Sequence, residues 1–501
     1  MKRLYYAERP AYDESFLLDE AEQFARNGDD IVFAYCNGAL SCCNNNRECR
    51  KDICRYCHFF FRHMKPLSSR IHVESIGADY LSDHSPCTFA YDSMDDIKAL
   101  RYKGCYVGYG ALSSYISFTR DSNPNINGDF RRYFDMLLDQ ACRAVDLAEK
   151  LFEKHRPDAV SIYNGRYFFN RGFFDLAIQR HIPIHCIEGV GGVRTGKPLL
   201  RTVFEDCLPQ NLEFRAKLIK RLWEDDSEPV ERKIEIGRSF FERRRNSIMA
   251  GDKVYTSGQQ QGLLPQGFDP QRRNMMIFNS SEDEYMSLGD EYDKLQVYKN
   301  QLTAIRHILG AFRGGDEYFY LRIHPNQRGL PAVDPLLHLE KEFDNITVIP
   351  PESPISSYAL VDAADVVVVF GSTIGAEACY WGKPVVLLCG AQYSHMGIAS
   401  AIPLSPEEAL HALADRSLKP GDRDAAIRYG YYIMSQLRLG IPSSYHHIKQ
   451  IKLPFLKKSI QVCTAFRLCG SALLMRCCLE YLKRRSLRSH GDCMQPEAIT
   501  K

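Results

Sequence analysis

Three short polar groups follow apolar runs in the second half of the chain, and each carries side chains suited to a phosphorylated ligand. The run Asp365-Val-Val-Val-Val-Phe370 leads into Gly371-Ser372-Thr373, with Glu377 four residues further on. A glycine turn at a helix start leaves backbone N–H groups for a phosphate, and two hydroxyls add donors. Glu377 can accept two hydrogen bonds from a ribose diol. The same residues also suit plain helix capping, with Ser372 or Thr373 as N-cap and Glu377 as a first-turn acid. The second group is Leu321-Arg-Ile-His-Pro325. Here His324 can donate to a phosphate oxygen or move a proton, or simply cap a backbone carbonyl. The third is Asn279-Ser-Ser-Glu-Asp283, where Ser280 and Ser281 offer hydroxyls to a phosphate or to a helix end. Glu282 and Asp283 are candidate general bases.

The first half holds a second constellation. Asn164, Gly165 and Arg166 follow the apolar run 158–163, and Asn164 and Arg166 are candidates to meet an acceptor or sugar. Glu188 stands in Cys186-Ile-Glu-Gly-Val-Gly-Gly192, after the run 182–187. A carboxylate beside a glycine-rich turn can deprotonate an acceptor hydroxyl. It can equally bind a sugar hydroxyl or pair with Arg166. Six of the 18 cysteines fall between 36 and 57: Cys36, Cys42, Cys43, Cys49, Cys54 and Cys57, with His58 adjacent. Cys54 and Cys57 have C-x-x-C spacing. Cys36, Cys42, Cys49, Cys54 and Cys57 are candidate ligands of a structural zinc or iron–sulfur cluster. The alternatives are reduced thiols or a disulfide.

These groups need strands and helices to position them, and the pattern supplies both. Short apolar runs at 3–7, 31–35, 158–163 and 182–187 alternate with helical stretches at 12–27, 131–155 and 170–180. Apolar strands separated by helices predict a parallel sheet covered on both faces. The alternation restarts with strands at 275–279, 318–323, 346–349, 365–370 and 384–388. Between the two series lies a charged helix at 231–247 and then a stretch rich in Gly, Gln and Pro. The expected fold class is α/β, with two Rossmann-like doubly wound domains facing a cleft. The expected boundaries are 1–255 for the N-terminal domain, with a Cys-rich insertion at 36–57, then a linker at 256–272. The C-terminal domain follows at 273–450, and a basic helical tail at 451–501.

The order Ser-Ser-Glu, His-Pro, Gly-Ser-Thr-x-Gly-x-Glu-Ala and Gly-Lys-Pro-Val resembles the nucleotide-sugar domain of GT-B glycosyltransferases. Within them it resembles the capsule and surface-polysaccharide biosynthesis group. The resemblance covers 275–389 best and 158–192 more loosely. It implies a nucleotide-sugar donor in the C-terminal domain and a glycan or lipid-linked glycan acceptor over the N-terminal one. It also implies that Glu377 holds the ribose, that Ser372, Thr373 and His324 face the phosphates, and that no metal is needed for catalysis. A polyol-phosphate transferase using a CDP-activated donor and a non-catalytic nucleotide-binding scaffold subunit are the alternative readings.

Composition excludes other classes. Of 501 residues, 45% are hydrophobic and 25% charged, the usual globular balance. The start, with a charge every few residues, is unlike a secretory signal, so a cytoplasmic, reducing setting with free thiols is expected. The net charge of +2 argues against nucleic acid as a partner of the whole chain. That total is segregated. Eight basic residues against Glu480 give 455–488 a charge of +7, leaving −5 for the rest. With leucines, Phe466 and Met475 between the charges, this tail suits the inner face of an anionic membrane. A helix packed on the domain, with a basic exit, is the alternative.

Overall fold

The computed structural model describes residues 1–9, 12–62, 68–190, 200–250, 255–256, 258–330, 332–439, 441–442, 448–453 and 458–463. The chain forms two compact units, Met1–Pro209 with Gly440–Lys501, and Gln210–Leu439.

In the first unit, strands β1 (Lys2–Ala7), β2 (Asp30–Asn37), β3 (Ile71–Gly77), β4 (Ala159–Tyr163), β5 (Ile184–Val190) and β6 (Leu200–Glu205) form one sheet. Their spatial order is β6-β5-β4-β1-β2-β3. The first five are parallel, and β6 runs antiparallel to β5. Helix Gly128–His155 is the longest element. Asn127 starts it by accepting the amides of Asp129 and Phe130 at 3.1 and 3.0 Å, and Arg156 ends it in the left-handed region. Its apolar stripe is buried. Gly172, on helix Phe168–Gln179, has no side chain to hold it off, because a Cβ there would lie 2.9 Å from the Val145 backbone.

The second unit has five parallel strands: β7 (Arg273–Phe278), β8 (Glu317–Arg322), β9 (Ile346–Ile349), β10 (Val366–Val369) and β11 (Val385–Leu387). Their order is β11-β10-β7-β8-β9. Residues of β7 and β10 are buried throughout, because helices cover both faces of the sheet. Counted from each unit's own first strand, both parallel sheets follow the Rossmann order 3-2-1-4-5. Both units are therefore Rossmann-like α/β domains, as the alternating pattern predicted.

The boundaries differ from the expected ones. The second unit begins at Gln210, because helices Leu212–Asp225 and Val230–Arg245 pack within it. Phe241 is fully buried and stacks on Tyr380 at 4.2 Å. Helix Val230–Arg245 also meets helix Arg423–Leu439 backbone to backbone, since a Cβ on Gly430 would lie 2.4 Å from the Gly237 carbonyl. This glycine contact and the buried Phe240 and Phe241 anchor one face of the charged helix. The Gly/Gln/Pro-rich stretch is not a loose linker. Gln259 accepts the Ser357 amide at 2.7 Å and donates to its hydroxyl at 3.1 Å, and the Gln260 amide donates to the Pro354 carbonyl at 2.7 Å.

After the second unit, β12 (Ile441–Pro442) pairs antiparallel with β6. Then β13 (Ile448–Leu453) and β14 (Lys458–Cys463) form an antiparallel pair. The start of the expected helical tail is thus extended. In β14, Ile460 and Val462 stand two apart between polar residues, a strand pattern. The rest of the basic tail, 464–501, lies outside the described residues. Among the described residues, no helix is long and apolar enough to cross a membrane.

Candidate functional site

The polar groups of the second unit meet where its strand order reverses, between β7 and β10. Ligands of open α/β sheets bind in the crevice at the carboxyl ends of the strands, at this switch point. A cavity of about 410 Å³ lies there. It falls in the usual size range for a small-molecule or cofactor site.

Asn279, directly after β7, ties the loops together. Its side chain accepts the His324 amide at 2.7 Å and donates to Gln327 at 2.7 Å. The Ser280 hydroxyl donates to the carbonyl of Phe370, linking the β7 and β10 loops. That hydrogen is engaged in structure, so Ser280 does not serve a phosphate with it. Ser281 is buried and lines the cavity. Glu282 does something other than expected. Its Oε1 accepts the Gln301 amide at 2.5 Å, at the start of helix Gln301–Ala311, and it is not among the cavity-lining residues. A first-turn amide stabilises the carboxylate, which explains the position without a catalytic role.

His324 reaches the cavity wall. Its Nδ1 accepts the Asn326 amide at 3.1 Å, so in the neutral ring Nε2 carries the proton and is a donor. The ring packs edge-on against Tyr255 with centroids 5.0 Å apart. Gly371 has φ of +74°, and a Cβ there would lie 2.9 Å from the Gly390 carbonyl, so the turn needs glycine. The Ser372 carbonyl accepts the Tyr393 hydroxyl at 2.6 Å. Thr373 and Ser372 line the cavity. Among the described residues, their amides have no hydrogen-bond acceptor.

Glu377 also lines the cavity, but it is only 1% exposed and both oxygens are engaged. Arg244 Nε donates to Oε1 at 3.0 Å, and the Tyr358 hydroxyl donates to Oε2. Burial and the adjacent Glu377 charge push the Tyr358 hydroxyl far up, so it stays a donor. Glu377 is thus the anchor of Arg244 first, and its expected ribose contact has to share these oxygens.

Two arginines were missed by sequence reasoning. Arg244 sits on the helix assigned to the other domain. Arg322 sits inside the Leu-Arg-Ile-His motif, at the end of β8. An arginine within an otherwise apolar central strand was the available signal. Arg322 is 3% exposed, donates to the carbonyls of Pro350 at 3.2 Å and Ser353 at 3.1 Å, and has no partner at Nε among the described residues. Burial pulls its guanidinium down to about 10, with Glu352 opposing. Arg244, Arg322 and His324 face the cavity against one acid, Glu377, and six tyrosines also line it. Such a surface selects an anion attached to a flat or apolar group.

The first unit brings together part of its predicted constellation. Glu188 lies within β5 rather than after it, paired with Thr202 of β6. It accepts the Tyr163 hydroxyl at 2.8 Å and the Asn164 amide at 2.5 Å. Arg166 does not pair with it. The guanidinium donates to the Tyr167 hydroxyl at 2.7 Å and lies over that ring. Residues 191–199, the glycine-rich turn itself, lie outside the described residues.

No disulfide joins the described cysteines. Among the described residues, no three metal-ligating side chains converge on a point that fits a single ion. The expected ligand set also divides. Cys42 and Cys49 interact, which raises the first thiol and lowers the second, and the Cys42 thiol donates to the Arg47 carbonyl at 3.8 Å. Cys49 further contacts Met136 at 3.2 Å. This pair stands apart from Cys36, Cys54 and Cys57.

The protein is thus a tandem of two Rossmann-ordered α/β units, the second with a cationic, tyrosine-lined cavity at its switch point. No family model and no curated protein matches the chain. Among solved structures, it is similar to a beta Kdo 2,4 transferase, KpsC of Thermosulfurimonas dismutans. Identity is 15% over 61% of this chain and 85% of that one, with a TM-score of 0.33. It is also similar to UDP-GlcNAc 2-epimerase from Neisseria meningitidis, at 11% identity over 88% and 100% of the two chains and a TM-score of 0.28. CalG4, the calicheamicin glycosyltransferase, matches at 14% identity over 87% and 96%, with a TM-score of 0.24.

Proposed function

We propose that the chain is a glycosyltransferase that binds a nucleotide-activated sugar in the cavity of the second unit. The sugar passes to a hydroxyl of a growing capsule, O-antigen or other surface glycan. The observation that carries this reading is Arg322, a buried guanidinium at the cavity wall with Nε unpartnered. A buried cation with a donor left over is costly unless a ligand completes it. A nucleotide phosphate supplies the missing acceptor, and the tyrosines suit a base and ribose.

In the reaction, the bond from the sugar's anomeric carbon to phosphate oxygen breaks, and a bond to the acceptor oxygen forms. The nucleotide leaves with the added negative charge, which Arg322 and the His324 Nε2–H stabilise. The acceptor hydroxyl gives its proton to a carboxylate, and Glu188 takes that role in this reading. Tyr163 and Asn164 keep its carboxylate oriented.

A thermal-shift and calorimetric screen of CMP, CDP, UDP and GDP tests the binding step. A ligand that binds only the folded state raises its melting temperature. One nucleotide should bind clearly best, and its sugar conjugate should be consumed when acceptor glycan is added. Binding of none of the four sinks the reading. Turnover of CDP-glycerol with release of CMP replaces it with polyol-phosphate transfer. Binding without turnover of any donor replaces it with a nucleotide-binding scaffold.

A further inference from the structure

The first unit holds a thiol cluster that the proposed sugar transfer does not use. β2 delivers Cys36 near its carboxyl end. The loop that follows folds back in a two-residue bridge, Cys43 with Asn46, with both backbone hydrogen bonds at 3.0 Å. Helix Lys51–Arg62 then presents Cys54 and Cys57, three apart and so on one face.

Asn46 locks these pieces together. It is 1% exposed, and its Nδ2 lies 3.3 Å from Cys54 Sγ, 3.1 Å from the Ser41 carbonyl and 2.9 Å from the Arg50 carbonyl. Its Oδ1 accepts the Arg50 amide at 2.7 Å. Cys43 and Cys54 are therefore held side by side. Cys36, Cys43 and Cys57 are buried. Each of the four thiols interacts electrostatically with every other one of the set. The buried Tyr6 hydroxyl interacts with the Cys36 and Cys43 thiols.

We propose that Cys36, Cys43, Cys54 and Cys57 ligate a [4Fe–4S] cluster. Four mutually neighbouring cysteines match the ligand count of such a cluster. A lone zinc ion fits less well. Its sulfurs must converge at about 2.3 Å from one point, and no three described ligands do so. A cube of iron and sulfide holds its four thiolates further apart. Ligation removes one proton from each thiol. The cluster sulfides can accept the Tyr6 hydroxyl. Cys42 and Cys49, paired with each other, are not ligands, and Cys43 replaces them in the set that spacing alone suggested.

The test uses the full chain, expressed with iron and purified under nitrogen. Iron and acid-labile sulfide should each reach about four per chain. The visible absorption should bleach with dithionite, and the reduced protein should give a paramagnetic signal. Cys43→Ser and Cys54→Ser should lose most of the iron and sulfide, whereas Cys42→Ser and Cys49→Ser should keep both. Zinc without sulfide, or neither metal nor sulfide, in the unaltered chain overturns the proposal, and this measurement needs no variant to fold. Equal iron loss in Cys42→Ser and Cys43→Ser overturns the ligand assignment. Nucleotide binding in the second unit is read separately, so failure here leaves the transfer reading standing.

Discussion

The two units share one strand order and differ in what their loops carry. At the switch point of the second, Arg244, Arg322 and His324 line a cavity against one acid, itself held by Arg244 and Tyr358. In the first, the corresponding chemistry is a carboxylate, Glu188, and a group of thiols. The same parallel strand order thus carries a cationic, tyrosine-lined cavity in one unit and a hydrogen-bonded carboxylate with a group of thiols in the other. The scaffold fixes where loops converge, and loop residues decide the chemistry.

The sharpest way to break this comparison is Glu188→Gln. If the first unit supplies the base, turnover falls by about 10²–10⁴-fold while nucleotide affinity stays unchanged, because general-base contributions have that size. Calorimetry beside a transfer assay separates the two. A variant that turns over normally would remove the base role. Phe241→Ala comes next and should cost about 3–5 kcal/mol, as truncating a buried aromatic ring does. Hydrogen exchange should show the loss within 273–439 and spare the first unit's sheet. Uniform loss in both would mean that the units do not unfold separately.

Arg322→Met then tests the cationic cavity. It keeps bulk and removes the charge-assisted contact, so nucleotide affinity should drop roughly 10- to 100-fold, the worth of about 1.5–3 kcal/mol. Unchanged affinity would place the phosphates elsewhere. The smallest effect belongs to a buried pair in the first unit. Glu20 accepts the Ser161 hydroxyl at 2.7 Å and lies 3.1 Å from His185 Nδ1. Burial opposes ionisation of both groups, yet the contact keeps Glu20 lowered and His185 raised. The Glu20 contribution is complete above its unfolded value and falls away as pH drops through the folded one. The His185 contribution is complete below its unfolded value and disappears as pH rises through the folded one. Chemical denaturation of the first unit should therefore be steadiest between about pH 4.5 and 6.5 and weaken on both sides. In His185→Gln the alkaline limb should flatten, and a limb that persists would assign the dependence to other groups.

Much of this was legible in sequence because it is local. The Val366–Val369 run can only be a strand buried on both faces, and Gly371 after it marks a turn. His324, Ser281 and Thr373 were placed at one sheet edge by counting strands, and they line one cavity. Arg244 was not legible. Its charged helix falls within the stretch expected to belong to the other domain, and its partner Glu377 is 133 residues away. Glu282 misled for a related reason. A carboxylate near a sheet edge looks the same in sequence whether it faces substrate or accepts the first amide of a later helix. Within the cysteines, spacing could not separate Cys43 from Cys42. They are neighbours in the chain, and an asparagine at 46 decides which thiol stands beside Cys54.

The amino-acid sequence by itself determined two α/β units, the strands that build them and the loops that end at their carboxyl edges. Those follow from hydrophobic periodicity and turn residues, which act over a few positions. Tertiary structure alone decided that 210–245 belongs to the second unit, that Glu377 anchors an arginine and that Arg322 keeps a donor unpartnered. Each depends on which distant groups share a low-dielectric space, and that is settled only when the helices close over the sheet.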